Sequence, residues 1–358
     1  MAGFWSGRRV FLTGHAGFKG SWLALWLASA GARVVGYSDR APTTPALYEL
    51  AGVEELLAHS VRGDVRNGPA LAAALAAAEP EIVFHLAAQP LVRRSLADPV
   101  GTYETNVMGT VNLLEAVRTT PSVRVVVNVT TDKVYANRDS HAGYREDEPL
   151  GGDDPYSSSK AAAELVTAAY RVSFGSGPAA ARIATARAGN VIGGGDWAED
   201  RLVPDLMRAA LGHGRVVVRN PRSTRPWQHV LNASAGYLLL AERLWEDPSL
   251  ADAWNFGPEP DDVHPVSWIV ERISALWGEE LLAVPPDRPQ PAETVALTLD
   301  STRARTQLGW QPRWGSERCL RSIVEWYRAF AAGESVRKVT LDQIVAYADN
   351  SAAVTAAS

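Results

Sequence analysis

Residues 8–31 read RRVFLTGHAGFKGSWLALWLASAG. A short apolar run ends in a turn with glycines at positions 14, 17 and 20, and an apolar helix pattern follows until Gly31. A buried strand that turns on glycine into a helix is the opening of a βαβ unit. Gly14 permits the tight turn, Gly17 lets backbone approach a pyrophosphate, and Gly20 lets the helix pack close to its strand. The helix N-terminus attracts phosphate, so the turn predicts a dinucleotide site that includes His15, Phe18 and Lys19. The spacing is GxxGxxG, a variant of the GxGxxG fingerprint.

Outward from this turn the rhythm repeats. Strand patterns at 32–38, 61–65, 81–89 and 123–131 alternate with helix patterns at 69–80, 99–120 and around 154–166. Short apolar runs between amphipathic helices predict an α/β fold, a Rossmann-type doubly wound parallel sheet. After about residue 190 the pattern changes to Gly-, Pro- and Arg-rich loops and shorter helices, which predicts a smaller C-terminal substrate-binding lobe. Ligands in such folds sit beyond the carboxyl ends of the strands. Leu86, Ala87, Ala88 and Gln89 fall there, and so do Thr131, Asp132 and Lys133. Ser38 and Asp39 close the second strand, and Asp39 is placed to accept hydrogen bonds from an adenosine ribose. Arg40 follows and would suit a 2′-phosphate, so NAD is favoured over NADP without excluding it. Asp64 and Val65 either reach the adenine or cap a strand end.

Composition excludes several classes. The 358 residues carry a net charge of −5 and no long basic run, which argues against nucleic-acid binding. The single cysteine, Cys319, excludes a disulfide framework and a cysteine-based metal site, and no metal is expected. No apolar stretch approaches a membrane span, and a strand within ten residues of the start leaves no room for a signal peptide. A cytoplasmic protein is expected.

The chemistry is carried by Tyr156 and Lys160 in DPYSSSKAAAELV, residues 154–166. Positions i and i+4 share a helix face, so the ammonium lies beneath the phenol and favours its ionised form. A base of this kind, next to a dinucleotide, removes the proton of an alcohol as hydride leaves its carbon. His85 in its buried strand and His229 at a helix start are expected to be packing residues.

TGHAGFKG, the HLAAQ strand end, Thr105-Asn106, YxxxK and RAGNVIG together resemble the extended short-chain dehydrogenase/reductase superfamily, in its sugar-nucleotide branch. GHAGFKGSWLALWL, PTTPALYEL, TTDKVY, GGDDPYSSSK, RAGNVIGGGDW and NPRSTRPWQHVL are similar to the CDP-glucose 4,6-dehydratases. The similarity runs from about Trp5 to about Trp326. It implies NAD as cofactor, with Asn106 in its site, and CDP-glucose as substrate. Thr131 would hold the sugar C4 oxygen, Tyr156 would take its proton, and Lys160 would lower the phenol pKa and hold the nicotinamide ribose. Asp132 would protonate the departing C6 hydroxyl if its carboxyl is kept neutral. The base at C5 is either Lys133, provided burial or neighbouring cations lower its pKa, or Tyr156.

Arg94, Ser95, Asn190, Asp196, Trp197, Arg201 and Arg225 would line the substrate side, and Arg219 is either a pocket residue or a solvated charge. The resemblance divides the chain into a NAD-binding domain at 1–190, with a return segment around 228–258, a sugar-nucleotide lobe at 191–350 and a tail at 351–358. A homodimer or higher homo-oligomer is expected. Alternatives of the same fold are a dehydratase of another nucleotide sugar, a 4-epimerase, and a non-enzymatic dinucleotide sensor or scaffold.

Overall fold

The structure, a computed structural model, describes residues 2–138, 142–177, 180–212, 214–218, 220–285 and 297–349. Seven parallel strands form the central sheet: β1 (Arg9–Thr13), β2 (Arg33–Ser38), β3 (His59–Arg62), β4 (Ile82–His85), β5 (Val125–Val129), β6 (Arg182–Arg187) and β7 (Ala253–Asn255). Their spatial order is β7-β6-β5-β4-β1-β2-β3. The chain therefore winds one way from β1 to β3 and the other way from β4 to β7. The crevice beyond the carboxyl ends of β1 and β4 is the topological switch point, where ligands bind in open α/β sheets.

Every residue of β4 and β5 is buried, as a sheet covered on both faces requires. Alternation along the strands divides the core. Phe11, Val83 and Val126 face one layer with Leu71, Leu75 and Leu113 from helices α2 (Gly68–Ala78) and α3 (Gly109–Arg118). Val10, Leu12, Phe84, Val125 and Val127 face the other layer with α1 (Phe18–Ser29). Helix α4 (Pro155–Phe174) covers the first face beside α3. After α5 (Leu202–Gly212), α6 (Val230–Glu246) packs against α1 and β5, and the chain then enters β7.

The C-terminal part contributes α7 (Val266–Trp277), α8 (Ser316–Ala331) and α9 (Val336–Ala348). Trp254, Trp310, Trp326, Tyr327 and Tyr347 belong to the same continuous core as α1 and α6. Nine of the twelve tryptophans are buried in this core. Two-stranded pairings at Val191–Ile192 with Gln228–His229 and at Thr224–Pro226 with Val263–Pro265 hold the loops above the sheet.

Three elements differ from what the sequence pattern predicts. The third strand ends at Arg62, before Gly63 and Asp64. The helix expected over 99–120 contains a π turn at Glu104–Met108 between Pro99–Tyr103 and α3. Helix α9 is not anticipated by the sequence pattern, and it lies on α1 with Trp26 and Tyr347 in edge contact at 5.6 Å. The tail at 351–358 lies outside the described residues. Among the described residues no helix is long and apolar enough to cross a membrane, and no cluster of His, Cys, Asp or Glu could hold a metal.

Candidate active site

The glycine turn is built by contact. Gly14 has φ +76°, and a Cβ there would lie 2.6 Å from Ala87 N, so β1 and the end of β4 approach as closely as backbone allows. A Cβ on Gly20 would lie 2.0 Å from Gly14 O, which presses the start of α1 onto the turn. Thr13 Oγ1 pairs with His85 Nδ1 at 2.7 Å and accepts from the Leu86 and Ala87 amides at 3.2 Å. His85 is buried and its pKa falls to about 3 through burial and then the Lys160 charge, so it is a neutral brace. The second histidine expected to pack, His229, is buried at the start of α6, where it caps Leu231 N–H.

A dinucleotide fits this cradle. Glycine lines the turn where a Cβ would collide, and the first amides of α1 carry no side-chain cap. Asp39 is exposed at the end of β2, with Arg62 at 4.0 Å as its ion-pair partner, and is open to a ribose. Asp64 is different: Arg66 holds its carboxylate at 2.6 and 2.8 Å and keeps its pKa low, so it serves as a local cap. Val65 is buried against Gly109. Gln89 and Asn106 are also spent within the protein. Asn106 accepts from Gln89 N–H at 2.8 Å and donates to Gln89 O at 3.1 Å and to Ser159 Oγ at 2.9 Å, tying the β4 loop to α4.

The groups expected to react converge at the ends of β5 and α4. Asp154 caps α4 through Ser157 N–H at 2.9 Å, which fixes the first turn that presents Tyr156. Ser95 donates to Val92 O and accepts from Tyr156 N–H at 3.1 Å, so its hydroxyl positions this helix. Tyr156 and Lys160 are both buried. Lys160 Nζ donates to Val129 O at 3.1 Å. Burial, then the Lys19 charge, lower the Lys160 pKa to about 8, and Glu164 opposes them.

The expectation that Lys160 holds the phenol low does not describe the protein alone. Burial raises the Tyr156 pKa to about 12, a Thr131 hydrogen bond and Arg201 lower it, and Asp132 and Asp154 raise it. Desolvation of the phenolate outweighs the Thr131 hydrogen bond and the Arg201 charge.

Asp132 sits beside this pair, 1% exposed. It accepts from Thr131 Oγ1 at 3.0 Å and from Asn190 Nδ2 at 3.3 Å. Gly189 makes room for it, because a Cβ there would lie 1.7 Å from Asp132 Oδ2. Burial raises the Asp132 pKa against the opposing pull of Lys133, Thr131, Lys19 and Arg225. This is a carboxyl kept protonated further toward neutral pH than usual, as an acid catalyst needs. Lys133, by contrast, is exposed, so burial, one of the two conditions set for its role as a base, is not met.

Across the cleft Arg201 pairs with the buried Asp196 at 3.0 Å. Arg225 lies within electrostatic range of Asp132. Trp197 is buried against Tyr327 and Phe330, each at 5.1 Å, and packs into the lobe. Arg94 is exposed on the helix Val92–Ala97, and Arg219 lies outside the described residues.

Two residues are undervalued by sequence reasoning. Lys19, placed there with the cofactor turn, also lies within electrostatic range of Asp132, Asp196 and Arg201, and burial brings its pKa to about 8. Its signal is available: the chain has only four lysines, and Lys19, Lys133 and Lys160 are three of them. Glu164 goes unremarked although it lies on the Tyr156–Lys160 helix face, four residues on.

The sequence pattern of the NAD dependent epimerase/dehydratase family matches residues 10–257. Over 339 residues the chain is 49% identical to a CDP-glucose 4,6-dehydratase of Salmonella typhimurium, covering 93% of this chain and 94% of that protein. It is 30% identical over 329 residues to a dTDP-glucose 4,6-dehydratase of Streptomyces griseus, covering 89% and 93%. Among solved structures, a dTDP-glucose 4,6-dehydratase of Streptomyces venezuelae with NAD bound has a TM-score of 0.78 at 25% identity, over 92% of this chain and 99% of that one. A UDP-glucose 4-epimerase of Thermus thermophilus in complex with NAD has a TM-score of 0.78 at 25% identity, over 89% and 99%.

Proposed function

On the premise that this chain belongs to the NAD dependent epimerase/dehydratase family, we propose that it is a cytoplasmic, homodimeric CDP-glucose 4,6-dehydratase. It converts CDP-glucose to CDP-4-keto-6-deoxyglucose and water, with NAD as its cofactor. The observation that carries the reading is Asp132: a buried carboxyl of raised pKa beside Thr131, Tyr156 and Lys160. A 4-epimerase has no departing hydroxyl to protonate, and a scaffold has no use for an intact Thr-Tyr-Lys set. The cytidine base is supported by the name of the Salmonella relative.

NAD, when bound in the glycine turn and beside Asp39, supplies the acceptor and donor of the hydride that leaves C4 and arrives at C6. The chain supplies the proton chemistry. Thr131 holds the C4 oxygen, and Tyr156 takes its proton under the influence of Arg201, a cation that favours phenolate. The C4 ketone acidifies C5, whose proton passes to Lys133 or Tyr156, and Asp132 gives its own proton to the C6 hydroxyl as the C5–C6 elimination releases water. Arg225 and Arg201 suit the substrate diphosphate, since guanidinium groups bind phosphate oxygens in pairs.

The test uses CDP-glucose carrying deuterium at C4. The label should appear in the C6 methyl group with catalytic NAD sufficing, and the new proton at C5 should come from solvent. Label returned to C4 would make the protein an epimerase. Turnover of dTDP-, UDP- or GDP-sugars in preference to CDP-glucose would overturn the substrate and leave the reaction standing.

A further inference from the structure

The reaction above uses Thr131, Asp132, Tyr156 and Lys160, and none of them explains a carboxylate buried one helical turn beyond Lys160. Glu164 and Arg187 form an ion pair at 2.9 Å with side chains 3% and 4% exposed. Buried pairs of this kind seldom stabilise more than apolar residues of the same size, so their presence asks for another reason. Glu164 Oε1 accepts from Thr130 Oγ1 at 2.5 Å, and Oε2 accepts from Thr185 Oγ1 at 2.7 Å as well as from Arg187. Thr130 immediately precedes Thr131 and Asp132, while Thr185 and Arg187 lie on β6. One carboxylate thus joins α4 to the ends of two strands.

Its electrostatic setting is equally specific. The charged and titratable groups that face Lys160 are Lys19 from the start of α1, His85 from β4 and, on its own helix, Glu164 and the Tyr156 phenol, which is neutral with its pKa raised to about 12. Lys19 is a cation and His85 is neutral, so Glu164 is the anion among them. Arg187 stands behind Glu164, bonded in turn to Tyr135 OH at 2.8 Å.

We propose that Glu164 is a positioning residue of the active centre, which clamps the Thr130–Asp132 strand end to the Tyr156–Lys160 helix and balances the ammonium charge of Lys160. A purely structural Glu164 would exist to neutralise Arg187. The two roles separate on removing both charges. With Arg187 gone, a structural carboxylate is no longer needed, whereas Lys160 still lacks its anion.

The proposal rests on the Tyr156–Lys160 assignment, and its test is run without substrate or NAD so that it stands apart from the dehydratase reading. With four lysines in the chain, ¹³C-lysine NMR resolves each ammonium, and Lys160→Met identifies the relevant signal. In Glu164→Gln the titration midpoint of Lys160 should fall below its starting value near 8 by roughly half to one pH unit, and thermal stability should fall with it. In Glu164→Gln/Arg187→Met the stability should return while the midpoint stays low. Glu164→Asp, which keeps the charge, should keep the midpoint near its parental value. A midpoint unmoved in Glu164→Gln, or restored together with stability in the double variant, would overturn the proposal. Should the single variant fail to fold, the double variant is compared with the parent in its place, because it removes Arg187 together with its partner carboxylate.

Discussion

In the proposed mechanism Asp132 separates this site from that of a plain dehydrogenase, and its behaviour follows from its surroundings. Buried against Gly189, it keeps its proton toward neutral pH, although Lys133, the Thr131 hydrogen bond, Lys19 and Arg225 pull the other way. An acid catalyst works in its protonated form, so its contribution is present at low pH and is lost as pH rises through its raised pKa. Asp132→Asn should lower kcat by ~10²- to 10⁴-fold with the KM for CDP-glucose within a few-fold of the parent. The variant should also lose the fall in rate that ionisation of Asp132 causes. A kcat–pH series across the neutral range reads both effects, and a variant within a few-fold of parental kcat would remove Asp132 from the elimination. The sequence made Asp132 legible through its position after Thr131. It did not reveal the phenol pKa near 12, because burial is a property of the folded site and opposes the i,i+4 logic of the pair.

At the scale of elements, the strands and long helices were legible because a covered parallel sheet writes itself as solid apolar runs between periodic ones. The π turn at Glu104–Met108 was hidden, since one inserted residue leaves the helical pattern intact on either side. Helix α9 was hidden because its buried face includes the polar Thr340 and Gln343 while Val345 is 53% exposed, which blurs the apolar period of VRKVTLDQIVAYA. The glycine turn can be tested directly. Alanine at Gly20 would set its Cβ 2.0 Å from a carbonyl oxygen that cannot move without shifting the turn, whereas alanine at Gly17 meets the same oxygen at an ordinary 3.4 Å. Gly20→Ala should lower the melting temperature and cost about 1–3 kcal/mol, with NAD affinity reduced about tenfold or more. Gly17→Ala should leave stability near parental, so any loss of NAD binding there reports on the approach of phosphate. Calorimetric titration with NAD and thermal melts check the pair, and a Gly20→Ala protein that melts and binds like the parent would remove the turn from the cofactor site.

The whole molecule is organised around two core layers, and the C-terminal helices extend one of them through Trp254, Trp310 and Trp326. That continuity explains why the second lobe read less clearly than the first: its helices are short and its identity comes from packing on α1 and α6, which no local pattern records. The opposite layer ends in a surface that one chain leaves unpartnered. Leu96 at 58% exposure, Val100 at 67% and Met108 at 49% lie on the helical segments before α3, and Leu165 at 61% and Val172 at 79% lie one heptad apart on the adjacent α4. Fully burying such side chains is worth ~1.5–3 kcal/mol each, enough in sum to hold two copies together across an interface of ordinary size, roughly 1,600 Å². We propose this helical face as the interface of the homodimer. Sedimentation equilibrium at micromolar concentration should give the mass of two chains. Leu165→Glu/Val172→Glu should give one, with the fold unchanged because both side chains are largely exposed within the single chain. A parent that sediments as one chain, or a double variant that still sediments as two, would place the partner, if any, on another surface.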